Sequence, residues 1–508
     1  MTAHPGHDEL TELDLLDLEL DAARYGAIGS QRPTGTAVQP GPVRRGLTRA
    51  EQARLLPPGL PARERWTRIG AATMVVLVCA LFLVVAVGYL VTHRWNSGLM
   101  ALYTVVVTTY VLSRFVLAAG YRPPPDLGHE PTVAIVVPAF NESVAVRRTI
   151  DACMAVNYDQ ERLRLIVVND GSSDDTWQHM IQAASRYPRG RVECLDLGVN
   201  RGKRAAMAAG IRAAADAEIL VFVDSDSMPA PQAIRQIVQG FADPKVGAIS
   251  GVTHVRNAAR NTLTRMQMAR YFVSFQLLKS AESVVGAVAC CSGCFAAYRT
   301  SAVLPVLDAW ENQRFLGVEC TYGDDRALTN MLLRRRWITI FDSSAQAWTD
   351  APERYRQFFR QQLRWKKSWS REGPLLLSHI WRSRFRAFPF VLMGTLSALL
   401  SPFVLLLNLA QPAISGQLPV VYLLGLFLVS MAYALFYRAL RNDGLWTYAC
   451  LGTYFYIATS PQLWWAMLRI RDGSWGTRPS LVGSSAARTP SRPSMTEANS
   501  RDTSGETA

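Results

Sequence analysis

At 508 residues the chain is too long for one ordinary domain, and its 49% hydrophobic content lies in blocks rather than in a single spread core. The formal charge of +14 raises nucleic acid as a partner, but no recognition motif accompanies it. Arg instead gathers beside apolar blocks, as membrane orientation demands, so nucleic acid is excluded from the reading. The eight cysteines lack the spacing of a disulfide framework, which fits a reduced cytosolic setting.

Residues 1–66 read as a disordered cytosolic tail, Pro/Gly/Arg-rich after a short acid–Leu alternation. They are not a secretory signal, because the front is acidic and the apolar stretch starts late. Residues 67–120 hold two membrane-length apolar segments, 70–92 and 98–119. Arg49, Arg54, Arg63, Arg65 and Arg68 precede the first, and only Arg94 stands in the turn between them. The positive-inside rule then places the N-terminus and residues 121 onward in the cytosol.

Residues 121–350 alternate strand and helix patterns. Val133–Val137, Leu165–Val168, Val192–Leu195 and Ile219–Val223 are strand-like. Val144–Val156, Thr176–Tyr187 and Lys203–Ala215 have helical spacing. Such alternation predicts a mostly parallel sheet covered on both faces, with ligands beyond the carboxyl ends of the strands. Residues 351–386 are rich in Arg and aromatics, which suits amphipathic helices at a membrane interface. A soluble helix packed on the domain is the alternative.

Residues 387–470 form a C-terminal membrane region with apolar stretches 387–409, 419–437 and 446–468. Arg438 and Arg441 lie before the last stretch, Arg469 and Arg471 after it. Both clusters prefer the cytosol, and Ser460-Pro461 interrupts the stretch between them. The expectation is that 446–468 bends or re-enters. Residues 471–508 end in a tail of disordered composition.

Asp224-Ser225-Asp226 closes the apolar run Ile219–Val223. Two carboxylates one residue apart at a strand end are costly to hold together without a cation. Their hard oxygens suit Mg²⁺ or Mn²⁺, ions that usually carry a substrate phosphate as well. Asp170 falls at a second strand end, before a Gly turn, where it could bind a base or ribose or simply fix the turn. Lys203 and Arg204 open a helix after Asn200-Arg201-Gly202, either as a diphosphate site or as a solvated helix start.

Asp324 and Asp325 precede an apolar helical stretch. Adjacent side chains diverge, so one could cap the helix while the other faces the crevice as a general base. Gln361, Arg364 and Trp365 share one helical face, where Arg can bind a leaving diphosphate and Trp offers a flat surface to a sugar. Cys290, Cys291 and Cys294 cluster without a second pair at zinc spacing and read as packing. The residues together describe a membrane enzyme that handles a nucleotide-sugar diphosphate.

The set Asp170, Asp224-Ser225-Asp226, Asp325 and Gln361-x-x-Arg364-Trp365 resembles the processive family 2 glycosyltransferases, over about residues 70–479. Within that group, several segments are similar to hyaluronan synthases. They are Gly202-Lys203-Arg204, Arg270-Tyr271-Phe272, Gly323-Asp324-Asp325-Arg326, Gln361–Ser368 and Ser474-Trp475-Gly476-Thr477-Arg478. One departure stands out: Cys294-Phe295 follows Ser292-Gly293 where hyaluronan synthases carry Pro-Leu, and this is nearer to chitin synthases.

The resemblance implies an α/β GT-A domain, Rossmann-like and nucleotide-sugar binding, inserted between transmembrane helices. It implies a processive, inverting transfer from UDP-sugar donors to a growing polysaccharide in the lipid bilayer of the cytoplasmic membrane, with the catalytic domain in the cytosol. Asp170 would contact uridine, and Asp224 and Asp226 would hold the metal. Lys203, Arg204, Asp324, Gln361 and Arg364 would serve substrate binding, and Asp325 would be the base. Trp365 would support the acceptor, and Trp475 and Arg478 would close over the nucleotide.

Overall fold

The computed structural model describes residues 98–473 except Asn442, together with scattered positions between 69 and 87. The expected segments 1–66 and 474–508, with Trp475 and Arg478, lie outside the described residues, as does much of 70–92.

The centre is an eight-stranded sheet in the order β3-β2-β1-β4-β7-β6-β10-β5. The strands are β1 (Val133–Ala139), β2 (Leu163–Asn169), β3 (Val192–Asp196), β4 (Ile219–Val223), β5 (Met228–Pro229), β6 (Val246–Val255), β7 (Phe295–Arg299) and β10 (Ile338–Thr349). The short strands β8 (Arg314–Phe315) and β9 (Val318–Glu319) form a separate hairpin. β1, β2, β3 and β4 pair in parallel, β7 runs antiparallel to β4 and β6, and β10 is parallel to β6. The sheet is thus mixed, with the parallel half expected from the strand–helix alternation and a reversed β7 that the pattern did not announce.

Burial on both faces explains the unbroken apolar runs of the central strands. Ala134, Val136, Ile166, Val168, Leu220 and Phe222 pack into the core on one face. Ile135, Val137, Leu165, Val167, Val221 and Val223 pack into the core on the other. The register pairs Ala139 with Asn169 and Val136 with Phe222, so β1 and β2 end level and β4 ends two residues sooner on the same side. Asp170 and Asp224–Asp226 therefore emerge at one edge.

Among the described residues, three helices are long and apolar enough to cross a membrane: Leu102–Gly120, Phe385–Ser415 and Val420–Leu440. The stretch 446–468 is two helices, Trp446–Ala458 and Gln462–Leu468, parted at Thr459-Ser460-Pro461. Proline removes an amide donor and favours such a break. Residues 351–386, expected as interface helices, hold a 29-residue helix, Tyr355–Ser383. Its Phe358 is fully buried beside Phe455 and Tyr456, while Phe359, Trp365 and Trp381 are exposed.

Asp342 is a costly element of this core. It is fully buried on β10, and only Oδ1 is served, by the Ser344 amide and hydroxyl. Burial pushes its carboxyl up to about 6. The folded protein keeps that proton to about pH 6, while the unfolded chain releases it near 3.8. The native state binds more protons between these values, so stability is lost as pH rises from about 4 to 6. Asp342→Asn is expected to flatten that part of the stability–pH curve, measured as thermal midpoints at pH 4.5, 5.5 and 7; an unchanged slope would remove Asp342 as its source.

Candidate active site

A crevice of about 1020 Å³ opens at the carboxyl ends of β1, β2 and β4. Asp170, Lys203, Asp224, Asp226, Asp324 and Asp325 line it, as do Gln361, Arg364 and Trp365. Asp170 is buried, and its Oδ1 accepts the amides of Arg201 at 2.8 Å and Gly202 at 3.1 Å. That contact ties the end of β2 to the start of the Lys203–Ala213 helix. Gly171 stands between them at φ +63°, where a Cβ would lie 2.3 Å from the Val199 carbonyl carbon. Only glycine lets the two turns approach this closely.

Lys203 reaches across to Asp224, with which it forms an ion pair. Burial alone would lower the Lys203 ammonium's pKa, but the Asp224 and Asp324 carboxylates outweigh it and hold the group above its ordinary value. Asp226 has no such partner among the described residues; its Oδ1 meets only the hydroxyls of Thr349 at 3.3 Å and Ser227 at 3.4 Å. Its carboxylate opens into the crevice and is reached by solvent there, although protein packs densely around it. Burial, then the neighbouring Asp224 and Glu142 carboxylates, push Asp226 up to about 7.

These residues fit a hard divalent cation. Two carboxylates share a strand end, and the one without an ammonium is raised, as expected where a positive charge is wanting. Among the described residues no group of three or more His, Cys, Asp or Glu is placed to hold a metal. Two protein ligands with the rest from water and phosphate is the usual Mg²⁺ pattern, rather than a closed protein cage.

Arg204 does not line the crevice, against the expectation for it. It is buried, with Nε 3.0 Å from Asp324 Oδ1 and Nη1 donating to the Trp310 carbonyl at 2.8 Å. Asp324 is occupied by that pair and does not cap its helix; the N-cap is Gly323, with no side-chain cap bond. Asp325 points the other way, as divergence of neighbours predicts. Its Oδ2 accepts the Gly293 amide at 3.2 Å and the Cys290 thiol at 3.4 Å, and its Oδ1 accepts the Arg326 amide at 2.8 Å.

The Asp324–Arg334 helix is pressed onto the Tyr355–Ser383 helix at Gly323. That residue has φ +77°, and a Cβ on it would lie 2.0 Å from Ser368 Oγ. Gln361, Arg364 and Trp365 lie on the same long helix as Ser368, so Gly323 sets their distance from Asp325. The Gln361 Oε1 is buried, with no hydrogen-bond partner among the described residues. Trp365 is half-exposed, with its ring centroid 6.3 Å from that of Tyr271. Gly473 is held beside this turn by Thr321 Oγ1, which donates to its carbonyl at 2.6 Å, and Lys367 donates to Asp472 O at 2.8 Å.

Several crevice residues escaped the sequence reading. Cys291 packs in the core as expected, but Cys290 and Cys294 line the crevice. Lys279 ends a π-helical turn, Ser274–Lys279, and donates to Ser250 Oγ at 2.8 Å. On the apolar helices, Gly394, Ser397, Ala398 and Ser401 line the cavity, as do Ala449, Gly452, Thr453 and Tyr456. Both sets follow the spacing of one helical face, and their small or hydroxylated side chains are the signal that could have found them.

The comparisons agree with this geometry. Residues 131–368 match the family described as "Glycosyltransferase like family 2". A hyaluronan synthase of Streptococcus pyogenes is 28% identical over 423 residues, covering 81% of this chain and 98% of that protein. An N-acetylglucosaminyltransferase of Rhizobium meliloti is 31% identical over 292 residues, covering 56% of this chain and 67% of its own length. A mannosyltransferase of Pyrobaculum calidifontis, solved with GDP-Man and Mn²⁺, superposes with a TM-score of 0.51 at 19% identity, covering 73% of this chain and 98% of that one. The fold is GT-A-like, and the chain belongs to the family 2 glycosyltransferases. It is a glycosyltransferase.

Gly293 sits among Lys203, Asp224 and Asp325 in the crevice. A Cβ on it would stand 3.6 Å from Lys203 Nζ, 3.7 Å from Asp325 Cβ and 3.9 Å from Asp224 Oδ1. These are ordinary contacts, so Gly293→Ala is expected to fold with an unchanged thermal midpoint. The methyl group occupies space between the carboxylates, and transferase activity is expected to fall at least about tenfold. Wild-type turnover in that variant would show that the space between Asp224 and Asp325 is not used.

Proposed function

We propose that this chain is a processive, inverting β-glycosyltransferase of the cytoplasmic membrane that polymerises UDP-GlcNAc and UDP-GlcA, as hyaluronan synthases do, and exports the product. The observation that supports it is the continuity of the crevice, which runs from Asp224 and Asp325 past Trp365 to Ser397, Ser401 and Thr453 on apolar helices. A hydrophilic chain cannot cross hydrocarbon, so its path must be enclosed by protein. The active domain faces the cytosol, where nucleotide sugars reside.

In this reading Asp170 contacts uridine, and Lys203 and Arg364 surround the diphosphate with positive charge. Asp224 and Asp226 would hold Mg²⁺ or Mn²⁺, which when bound neutralises charge on the departing diphosphate. An acceptor hydroxyl oxygen attacks the anomeric carbon from the face opposite UDP. The bond from that carbon to the phosphate oxygen breaks, and its electron pair leaves with UDP. Asp325 takes the hydroxyl proton. Gln361 and Trp365 steady the acceptor sugar at the mouth of the path. Trp475 and Arg478 would close over the nucleotide, following on from the anchored segment that ends at Gly473.

Asp325→Asn is expected to lower polymer synthesis by about 10²–10⁴ while calorimetric binding of UDP is retained. Near-normal synthesis would move the base elsewhere. Asp324 is a poor substitute, because Arg204 already holds it.

A β-linked homopolymer synthase of the chitin or chitooligosaccharide type is the second reading. Cys294-Phe295 and the N-acetylglucosaminyltransferase relatives favour it. Purified protein in lipid vesicles, given UDP-GlcNAc alone, UDP-GlcA alone or both, separates the two. Polymer made only from the pair, and degraded by a hyaluronan-specific lyase, is expected. Elongation with UDP-GlcNAc alone would transfer the assignment to the second reading, and no UDP release from any mixture would overturn both.

A further inference from the structure

Cys290 lies between the Ser280–Val284 helix and β7, and it lines the crevice. Its Sγ is 3.4 Å from Asp325 Oδ2, the oxygen that also accepts the Gly293 amide. Two donors from one short turn thus converge on one carboxylate oxygen.

The turn itself is clamped. The Cys291 amide donates to Thr329 Oγ1 at 3.0 Å, and that hydroxyl donates to the Asp325 carbonyl at 2.7 Å. The Ser292 amide donates to Ser250 Oγ at 3.3 Å, and the Tyr298 hydroxyl to the Cys291 carbonyl at 3.3 Å. Cys290 is therefore a fixed donor.

Burial, then the Asp325 carboxylate, push the Cys290 thiol up to about 12. The sulfur keeps its proton through the neutral range, so toward Asp325 it acts as a donor. A carboxylate that accepts hydrogen bonds is favoured in its charged form and restricted in its torsions. The other charges around the pair are Lys279 and Arg326, with Glu282 and Glu372 near Arg326, and Lys203 and Asp224 beside Gly293.

We propose that the Cys290 S–H fixes the orientation of Asp325 Oδ2 toward the acceptor hydroxyl, making Cys290 a positioning residue for the base. The proposal rests on Asp325 acting as the base. Loss of the donor loosens the carboxylate, and the rate should fall.

The test uses full-length protein in lipid vesicles with UDP-GlcNAc and UDP-GlcA. Cys290→Ala is expected to lower kcat about tenfold, with donor KM within about twofold, because a hydrogen bond to a charged group is lost and donor binding is not. Cys290→Ser keeps a donor and should restore most of the rate. If alanine prevents folding, Cys290→Val against Cys290→Ser gives the same comparison, since valine fills the space without donating.

A Cys290→Ala enzyme with wild-type kcat overturns the proposal. So does a serine variant as impaired as alanine, since space rather than the donor would then matter. Asp325→Asn measured alongside separates the two failures. An inactive asparagine variant with a normal Cys290→Ala removes the positioning role alone, and an active asparagine variant removes the base as well.

Discussion

Like charge crowded at the end of β4 is the constraint on which the site depends. Asp224, Asp226, Glu142, Asp324 and Asp325 all line one crevice. Two unit charges about 4 Å apart repel by about 4 kcal/mol at an effective dielectric near 20. The fold meets part of this cost internally. Arg204 neutralises Asp324, Lys203 pairs with Asp224, and backbone amides serve Asp170 and Asp325. What is left is concentrated on Asp226, whose raised pKa marks it as the carboxylate that internal partners do not satisfy. A protein selected for stability alone would have no reason to retain that residue in acidic form. A protein that must recruit positive charge together with a diphosphate would.

The rest of the architecture holds this arrangement still. Parallel pairing through β1 places the ends of β2 and β4, with Asp170 and Asp224, on the same edge, and the glycine at 171 lets the two turns close on one another. On the far side, Gly323 brings the Asp325 helix against Ser368, so Asp325 and the Gln361–Trp365 face cannot drift independently. Positioning to fractions of an ångström is worth much of a bimolecular barrier, and rigid elements rather than loops supply it here.

The parallel half of the domain was legible because buried strands write unbroken apolar runs between helical patterns. Val133–Val137 and Ile219–Val223 became β1 and β4, and the carboxylates after them fell where such sheets bind ligands. β6, β7 and β10 were not foreseen. Gly247 and Gly251 stand within β6, and β7 is a five-residue strand, Phe295–Arg299, without a β-branched residue. Arg204 was misread for a different reason: Lys203 and Arg204 adjoin in sequence, but adjacent helical positions diverge by about 100°, so one faces the crevice and the other the core. Cys290 carried no signal at all. A thiol at 3.4 Å from a carboxylate is a product of tertiary approach between β7's entry turn and a helix more than thirty residues on.

The apolar helices show how the same sequence can satisfy a bilayer and a polar path. Phe388–Ser415 exposes Leu399, Phe403 and Leu406, while Gly394, Ser397, Ala398 and Ser401 turn to the crevice. Trp446–Ala458 likewise turns Ala449, Gly452, Thr453 and Tyr456 inward. Small residues at these positions leave room that larger ones would close, and hydroxyls offer hydrogen bonds without the desolvation cost of a buried charge. Under the proposed function, a path built this way would bind a sugar chain weakly at many points rather than tightly at one. Weak, repeated contact is what translocation of a polymer requires, because a tight site anywhere along the route would hold the product against the force of each new addition.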